Sequence, residues 1–178
     1  MPIQKSSSKY LKIGFGGGCH WCTEAVFDIL KGVLDVKQGW ITPENIKNSF
    51  SEAIILKYDP SLIDTRILIQ IHLLTHKANS NHSMRNKYRS AIYVFNKQQK
   101  QEIESILNNE RSDQCITQVL LFGAFKINEE KYQKYYLKHA TKGFCKNYID
   151  PKIKKILLKY GKNVDIQKVK DYKSSLPY

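Results

Sequence analysis

GFGGGCHWCTEAVF, residues 14–27, carries three consecutive glycines directly into a cysteine and then into an amphipathic segment. The stretch LKIGFG, which leads into these glycines, predicts a short β-strand, and residues 20–31 predict a helix because apolar residues recur on one face. Glycines have no side chain, so they let the backbone turn sharply and let a substrate come close to it. This stretch therefore predicts a strand, a tight turn and a helix that begins at Cys19.

The remaining sequence alternates between short apolar stretches and amphipathic ones. Further strands are predicted at VLDVKQGW, EAIILKYD, SAIYVF and CITQVLLF. Further helices are predicted at DTRILIQIHLLTH, KQQKQEIESILNN, NEEKYQKYYLKH and PKIKKILLKY. This alternation predicts an α+β fold, a two-layer α/β sandwich around a mixed sheet, whose strand order the sequence does not give. We predict one domain over residues 1–178, with a core at about 10–148 and a basic helical C-terminal extension at 149–178.

The chain is basic, with 29 Lys and Arg against 16 Asp and Glu and a net charge of +13. A basic chain is a candidate for nucleic-acid binding. The lysines are interleaved with acidic residues over most of the length, which favours a solvated surface and no nucleic-acid partner. No apolar run approaches the length of a membrane span, and the first ten residues lack the apolar centre of a secretion signal. We therefore predict a cytoplasmic protein without a membrane partner.

Four cysteines are present, two of them in the motif CHWC at residues 19–22. In an intracellular protein such a pair indicates redox chemistry or metal binding. A structural zinc site usually needs a second close pair, whereas Cys115 and Cys145 stand alone. His72 and His76 lack the glutamate of a zinc-protease motif, so we interpret them as ordinary core or surface histidines. The sequence predicts no metal site.

Cys19 is the residue whose position suggests reactivity. A cysteine at the start of a helix faces unpaired backbone N–H groups and the positive end of the helix dipole. Both favour the thiolate, which is the nucleophilic form. A phosphate-binding loop is a weaker interpretation, because the glycine run ends in cysteine and no Gly-Lys-Ser/Thr follows. The glycines and Cys19 together predict a reactive cysteine open to substrate.

Four blocks in the same order resemble the A-type peptide methionine sulfoxide reductases. GFGGGCHWCTEAVF resembles the family's G-C-F-W signature, and SEAIILKYDP resembles its strand H-A-E-V-V-x-V-x-Y-D-P. KYRSAIYVF resembles its block Q-Y-R-S-x-I, and EEKYQKYYLKHATKGFC resembles the ending that leads to its Gly-Tyr-Cys. The blocks cover residues 12–145. The resemblance implies a ferredoxin-like reductase core and reduction of methionine S-sulfoxide, free or in proteins.

The resemblance also implies roles for individual residues. It makes Cys19 the nucleophile that attacks the sulfoxide sulfur, Glu52 the acid that protonates the sulfoxide oxygen, and Tyr88 a hydroxyl that assists it. A carboxyl group in an apolar pocket is suited to this work, because desolvation favours its neutral form. The resemblance further makes Trp21 and His20 walls of the substrate's methyl pocket, although the family usually has Phe at the position of His20.

Two cysteines are candidates to capture the sulfenic acid formed on Cys19 as a disulfide. Cys145 falls on the family's resolving cysteine, in a glycine-containing segment that predicts a mobile loop. Cys22 lies about one helical turn from Cys19. The resemblance implies that Cys145 acts first and that Cys22 then passes the disulfide to thioredoxin or another dithiol, with no bound cofactor. Position alone leaves the order open, and we predict a monomer.

The sequence departs from the family pattern at several places. The segment after Gly39 is short and lacks the family's second tyrosine, Phe50 and Ser51 replace the usual His and Ala, and Ser83 replaces an Asp. Two other functions stay open on the sequence. CHWC between a strand and a helix also suits a thioredoxin-like thiol-disulfide oxidoreductase, which would leave the later blocks unexplained. The other alternative function is a basic binding protein whose cysteines are inert or act as redox sensors.

Overall fold

The computed structural model describes residues 9–174, so the predicted ends of the domain, 1–8 and 175–178, lie outside the described residues. Strands and helices alternate along the chain. The elements are β1 Leu11–Gly16, α1 His20–Asp28, β2 Val33–Pro43, β3 Ser51–Tyr58, α2 Thr65–Thr75, β4 Ala91–Val94, α3 Lys97–Glu110, β5 Gln118–Ile127, α4 Tyr135–His139, α5 Asp150–Tyr160 and α6 Ile166–Ser174.

The five strands form one mixed sheet that closes on itself. Their order is β1-β3-β2-β5-β4, and β4 pairs back onto β1. All pairs are antiparallel except β4 with β5, which is parallel. The mixed α/β class is confirmed. The sheet is a closed barrel, however, and not the open layer of the predicted two-layer sandwich.

Glycine on β1 explains how so few strands can close. A Cβ atom at Gly14 would lie 3.0 Å from the Cβ of Tyr93 and 3.2 Å from Cδ1 of Ile41. Tyr93 and Ile41 belong to a small buried cluster that also contains Ala53 and Ala91. Because the space around Gly14 is filled by side chains of other strands, a larger residue there would keep β1 and β4 apart.

The larger hydrophobic core lies between the barrel and the helices. Alternate residues of β1, Ile13 and Phe15, belong to this core and are fully buried. The ring of Phe15 stacks on Phe27 of α1, with centroids 4.6 Å apart and planes within 1°. Burying a side chain of this size contributes about 1.5–3 kcal/mol relative to leaving it in water. The contact fixes α1, and hence its first residue, against the strand that precedes it.

The predicted helix over NEEKYQKYYLKH is wrong as one continuous element. A short 3₁₀ turn, Glu130–Tyr132, is followed by α4, and Lys134 between them has a left-handed backbone with φ of 54°. The break comes where the side-chain amide of Gln133 accepts from the backbone N–H of Gln38 at 3.1 Å and donates to its carbonyl at 2.9 Å. These contacts to the barrel override the local helix preference.

The C-terminal extension packs against the end of α1. The predicted helix α5 is confirmed, and α6, which the sequence analysis did not separate, follows it. The N–H of Asp165 donates to the carbonyl of Ile29 at 2.8 Å, and the hydroxyl of Tyr172 donates to Asp28. Within residues 9–174, no helix combines the length and apolar character that crossing a membrane requires.

Candidate active site

The glycine turn after β1 is held by two histidines of the α2 region and presents Cys19 at the start of α1. His72 donates its Nε2–H to the carbonyl of Gly16 at 2.7 Å. A Cβ atom at Gly17 would lie 2.4 Å from Cδ2 of His76, so only glycine fits there. Cys19 is the N-cap residue, and its carbonyl accepts the N–H of Cys22 at 3.1 Å. The strand, turn and helix predicted from the sequence are confirmed.

Cys19 is the cysteine of this region whose thiol is activated. Its pKa is lowered from the ordinary value, chiefly because the thiol of Cys22 hydrogen-bonds to its sulfur, with smaller contributions from the backbone N–H groups of Trp21 and Cys22. Burial and the nearby Glu52 oppose this effect. The sequence predicted activation by the helix start, and the structure adds the donation from Cys22. A half-buried sulfur in this state can act as a nucleophile.

Glu52 lies on β3, next to the strand that ends at the glycine turn. Glu52 is 6% exposed, and its backbone N–H donates to the carbonyl of Lys87 at 2.9 Å. Oε1 accepts the backbone N–H of His20 at 3.4 Å and lies 3.3 Å from Nε2 of the same residue. A buried carboxyl group near a lowered-pKa cysteine is the arrangement that general acid catalysis beside a nucleophile needs.

Lys87 connects Glu52 with Tyr88. Its Nζ lies 3.7 Å from Oε2 of Glu52 and 5.1 Å from the centre of the Tyr88 ring. The pKa of Lys87 is raised by a hydrogen bond with Tyr88 and by the charge of Glu52. Ser51 holds this loop to β3, since its hydroxyl donates to the carbonyl of Lys87 at 2.9 Å and accepts the N–H of Arg89 at 2.7 Å. Sequence analysis did not identify Lys87 as a site residue.

Trp21 stands in a cluster of aromatic rings. Its ring stacks on Tyr135 with centroids 3.9 Å apart and planes within 6°, and on Tyr132 at 5.8 Å. Phe144 meets it edge-on at 5.6 Å. These rings come from α4 and the segments beside it, which the blocks quoted for the family resemblance include. An aromatic wall beside Cys19 is therefore present, and its use in binding the substrate's methyl group stays a prediction.

His20 is buried beneath the site, with 3% of its surface exposed. Its Nδ1 donates to the carbonyl of Gly39 at 2.7 Å, and Trp40 meets its ring edge-on at 5.0 Å. Asn128 donates to Nε2 at 3.5 Å and to the side-chain oxygen of Gln38 at 3.0 Å. Its predicted part in the methyl pocket stays a prediction, whereas its contact with Glu52 was not foreseen.

Cys22 and Cys145 are both buried on the core side of Cys19. Cys145 is fully buried in a wide helical turn, Cys145–Ile149, that continues into α5, so the predicted mobile loop is a helical segment here. Burial raises the pKa of Cys145 to about 11. The pKa of Cys22 is also raised, first by its hydrogen bond to Cys19 and then by burial. These shifts keep the thiols of Cys22 and Cys145 protonated at neutral pH, whereas the pKa of Cys19 is shifted in the opposite direction.

The remaining residues of the sequence analysis lie away from this cluster or beneath it. Cys115 is partly exposed and lies in the loop before β5, not inside the predicted strand, because β5 begins at Gln118. Ser83 is exposed. His72 and His76 are stacked, with centroids 4.1 Å apart, as support for the glycine turn. In the part of the chain that the structure describes, no three His, Cys, Asp or Glu residues are grouped as a metal site would require.

Comparisons with known proteins agree on one family. A family model described as peptide methionine sulfoxide reductase matches residues 11–164. The peptide methionine sulfoxide reductase MsrA of Sulfolobus acidocaldarius is 31% identical over 169 residues, which cover 85% of this chain and 96% of that protein. Mxr1 from Saccharomyces cerevisiae in reduced form superposes with a TM-score of 0.65 and 22% identity, over 77% of this chain and 90% of that one. Mxr1 from the same organism in complex with Trx2 superposes with a TM-score of 0.54 and 20% sequence identity, over 75% of this chain and 90% of that one.

Proposed function

The chain belongs to the peptide methionine sulfoxide reductase family and is an A-type enzyme that reduces methionine sulfoxide, and we propose that Cys19 is its nucleophile and Glu52 its proton donor. The observation that carries this proposal is the state of Cys19. Its thiol has a lowered pKa at the start of α1 and lies within electrostatic reach of Glu52. A nucleophile beside a buried acid is what sulfoxide reduction requires.

The reaction transfers oxygen from one sulfur to another. The Cys19 thiolate attacks the sulfoxide sulfur as one proton reaches the sulfoxide oxygen. The oxygen then passes to the Cys19 sulfur, so that the bond between oxygen and the substrate sulfur and the transient sulfur–sulfur bond break as the bond between oxygen and the Cys19 sulfur forms. The products are methionine and a sulfenic acid on Cys19, so the substrate sulfur gains the two electrons that the cysteine sulfur loses. Glu52 supplies the proton, and Tyr88, whose ring centre lies 5.1 Å from Nζ of Lys87, assists at the same oxygen.

We propose Trp21 as the wall that holds the substrate's methyl group. Tyr135 covers one face of its ring and Phe144 stands against it edge-on. Such packing leaves the indole few alternative rotamers, so it offers a fixed apolar surface beside Cys19.

The sulfenic acid is resolved by Cys22 and Cys145, which form disulfides and release water. A thiol reductant is then needed to restore the cysteines, and we propose a thioredoxin-type dithiol. The family's use of thiol reductants and the structure of yeast Mxr1 in complex with Trx2 support this choice. We also propose that the chain works as one domain, with a core at about 10–148, in the cytoplasm and as a monomer, on free or protein-bound substrate.

The test is sulfoxide-dependent turnover with dithiothreitol by purified protein. Cys19→Ser should abolish methionine formation from methionine S-sulfoxide, because an alcohol is not ionised at neutral pH. Cys115→Ser is the matched control and should keep turnover nearly intact, since Cys115 lies in the loop before β5. Substantial sulfoxide reduction by Cys19→Ser would exclude the proposed nucleophile.

The thioredoxin-like alternative is not favoured, because the family match covers residues 11–164 and not the CHWC motif alone. The same assay separates the two functions. Reduction of insulin disulfides without turnover of the sulfoxide would be the result expected of a thiol-disulfide oxidoreductase.

A further inference from the structure

Glu52 has a neighbour that the reaction described above does not use. Nε2 of His20 lies 3.3 Å from Oε1 of Glu52, and both side chains are at most 7% exposed. On the opposite side, Nζ of Lys87 lies 3.7 Å from Oε2. The buried acid is thus in contact with an imidazole on one oxygen and an ammonium group on the other. What the imidazole does depends on where its protons are.

The hydrogen bonds of His20 fix its tautomer. Nδ1 lies 2.7 Å from the carbonyl oxygen of Gly39, and because a carbonyl can only accept, Nδ1 carries a proton. In the neutral ring Nε2 then has only a lone pair. Asn128 donates its side-chain N–H toward this atom at 3.5 Å, while its own oxygen accepts the N–H of Glu129 at 2.9 Å, which fixes the amide's orientation. The one lone pair of Nε2 therefore has two neighbours, the Asn128 amide at 3.5 Å and Oε1 of Glu52 at 3.3 Å, and Glu52 is the nearer of the two.

A lone pair and a carboxylate oxygen repel each other at this distance, so a proton between them is required for a favourable contact. We therefore propose that His20 is a positioning residue. It holds one proton between its Nε2 and Oε1 of Glu52, so that a proton is available for transfer to the sulfoxide oxygen. The proposal rests on the proposed function of Glu52. It turns His20 from a polar wall of the pocket into part of the proton-donating pair.

The charged groups around the pair oppose each other, which is why a partner for the proton matters. Burial lowers the pKa of His20, and the charge of Glu52 works against that, so the neutral ring is favoured. Nζ of Lys87 lies 3.7 Å from Oε2 of Glu52, and the backbone N–H of His20 donates to Oε1 at 3.4 Å. Cys19 adds a negative charge, and Trp40 packs on the ring without charge.

The proton balance follows from this arrangement. The pair gives its one proton to the sulfoxide oxygen as Cys19 forms its bond, which leaves a carboxylate facing a neutral ring. That state is unfavourable, so the pair takes up a proton from water before the next cycle. No oxidant or reductant beyond the sulfoxide and the thiols takes part.

The experiment measures methionine released in a single turnover of the reduced enzyme across a range of pH. The rate requires the Cys19 thiolate, whose fraction is measured separately by iodoacetamide alkylation at each pH and divided out. The corrected rate should fall at alkaline pH as the pair loses its proton. In His20→Phe this fall should move to lower pH by about one unit or more, since one unit corresponds to the loss of one strong stabilising contact to the protonated form.

Two further variants separate the proton from packing. His20→Gln, whose amide oxygen accepts a hydrogen bond near the position of Nε2, should recover part of the shift. Trp40→Phe changes the ring that packs on His20 and should leave the alkaline fall where it is. Corrected profiles of parent and His20→Phe that superimpose would assign His20 to packing alone. If His20→Phe does not fold, a His20→Gln profile shifted upward in pH overturns the proposal, and parent protein without turnover overturns the proposed function instead.

Discussion

The side chain of Glu52, on β3, interacts directly or through Lys87 with four residues of the candidate site. Its two oxygens face His20 and Lys87, its charge acts on Cys19, and Lys87 reaches Tyr88. A substitution at Glu52 therefore changes the proton supply without removing the nucleophile. This separation gives the first expected outcome at the scale of single residues.

Glu52→Gln keeps the shape of the side chain and removes its acidic proton. Loss of a general acid typically slows a reaction by about 10²–10⁴-fold, so we expect a deficit of this size in single-turnover methionine release. The later reduction of the disulfide by dithiothreitol should keep its rate, because Glu52 does not take part in it. Near-normal single-turnover rates would transfer the role to Tyr88 or to water.

Lys87→Met should change the pH profile in the direction opposite to His20→Phe. The ammonium group favours the carboxylate form of Glu52, so its removal should move the alkaline fall of single-turnover rate to higher pH. The effect should be small, because the Lys87 side chain is 57% exposed and water screens its charge. High salt added to the parent should produce part of the same shift to higher pH. A shift of the alkaline fall to lower pH in Lys87→Met would contradict the proposed effect of Lys87 on Glu52.

Single residues differ in how far the sequence could reveal them. Cys19 could be identified because a glycine run, a C-x-x-C pair and a helix start are local signals. Lys87 could not, because its contact with Glu52 depends on the fold of a loop against β3. The pairing of His20 with Glu52 also joins two distant segments, and the family's usual Phe at position 20 pointed to an apolar wall.

At the scale of elements, the first turn of α1 and the turn Cys145–Ile149 bring three thiols to one place. Cys22 hydrogen-bonds to Cys19 in the reduced state, and that bond is the main reason its pKa is raised. Conversion of Cys19 to a sulfenic acid removes the thiolate that causes this effect. Lys152 on α5 lowers the pKa of Cys22 and remains in place. Oxidation thus makes Cys22 a better nucleophile.

We therefore expect the linkage Cys19–Cys22 to form first, the reverse of the order that the family resemblance implies. One equivalent of methionine sulfoxide without reductant, followed by alkylation and mass spectrometry, measures it. Cys145 should remain alkylatable after unfolding in the parent. In Cys22→Ser the linkage Cys19–Cys145 should form instead. If Cys19–Cys145 is the dominant linkage in the parent, the order implied by the family resemblance is correct.

Local patterns predict a helix well when its cap lies in the same segment, and they fail where a contact with a distant strand interrupts the helix. α2 and α3 agree with the predicted helices because Asp64 and Asn96 cap them within their own sequence, with bonds of 2.7 Å to Arg66 and Gln99. The helix predicted over residues 128–139 breaks because the side chain of Gln133 hydrogen-bonds to the backbone of Gln38 on β2. That interaction comes from a distant strand, and no local pattern contains it.

At the scale of the whole molecule, buried histidines link stability to pH. Burial lowers the pKa of His76 to about 4 and that of His72 well below its ordinary value. The unfolded chain binds their protons near pH 6.5, so the stability that the neutral rings contribute is present above that pH and is lost as pH falls toward 4. For His76 alone the loss is about 3 kcal/mol.

Urea unfolding at several pH values measures this loss. The free energy of unfolding of the parent should decrease between pH 6.5 and 4, and His76→Gln should show a shallower decrease. His72 and His20, whose pKa values are also lowered by burial, contribute to the part that remains. Equal slopes for the parent and His76→Gln would contradict a neutral, buried His76.

Closure of the sheet was beyond prediction from the sequence, because pairing of β1 with β4 joins strands that lie far apart in the chain. Because the sheet is closed, each of the five strands has a neighbouring strand on both sides. Oxidised, partly unfolded proteins tend to add as extra strands to any free sheet edge, which begins aggregation. Within residues 9–174 every strand is paired on both sides over part of its length, so the barrel leaves shorter edges than an open five-stranded sheet would have. We therefore expect this chain to seed the aggregation of other unfolded chains less readily than a protein with an open five-stranded sheet.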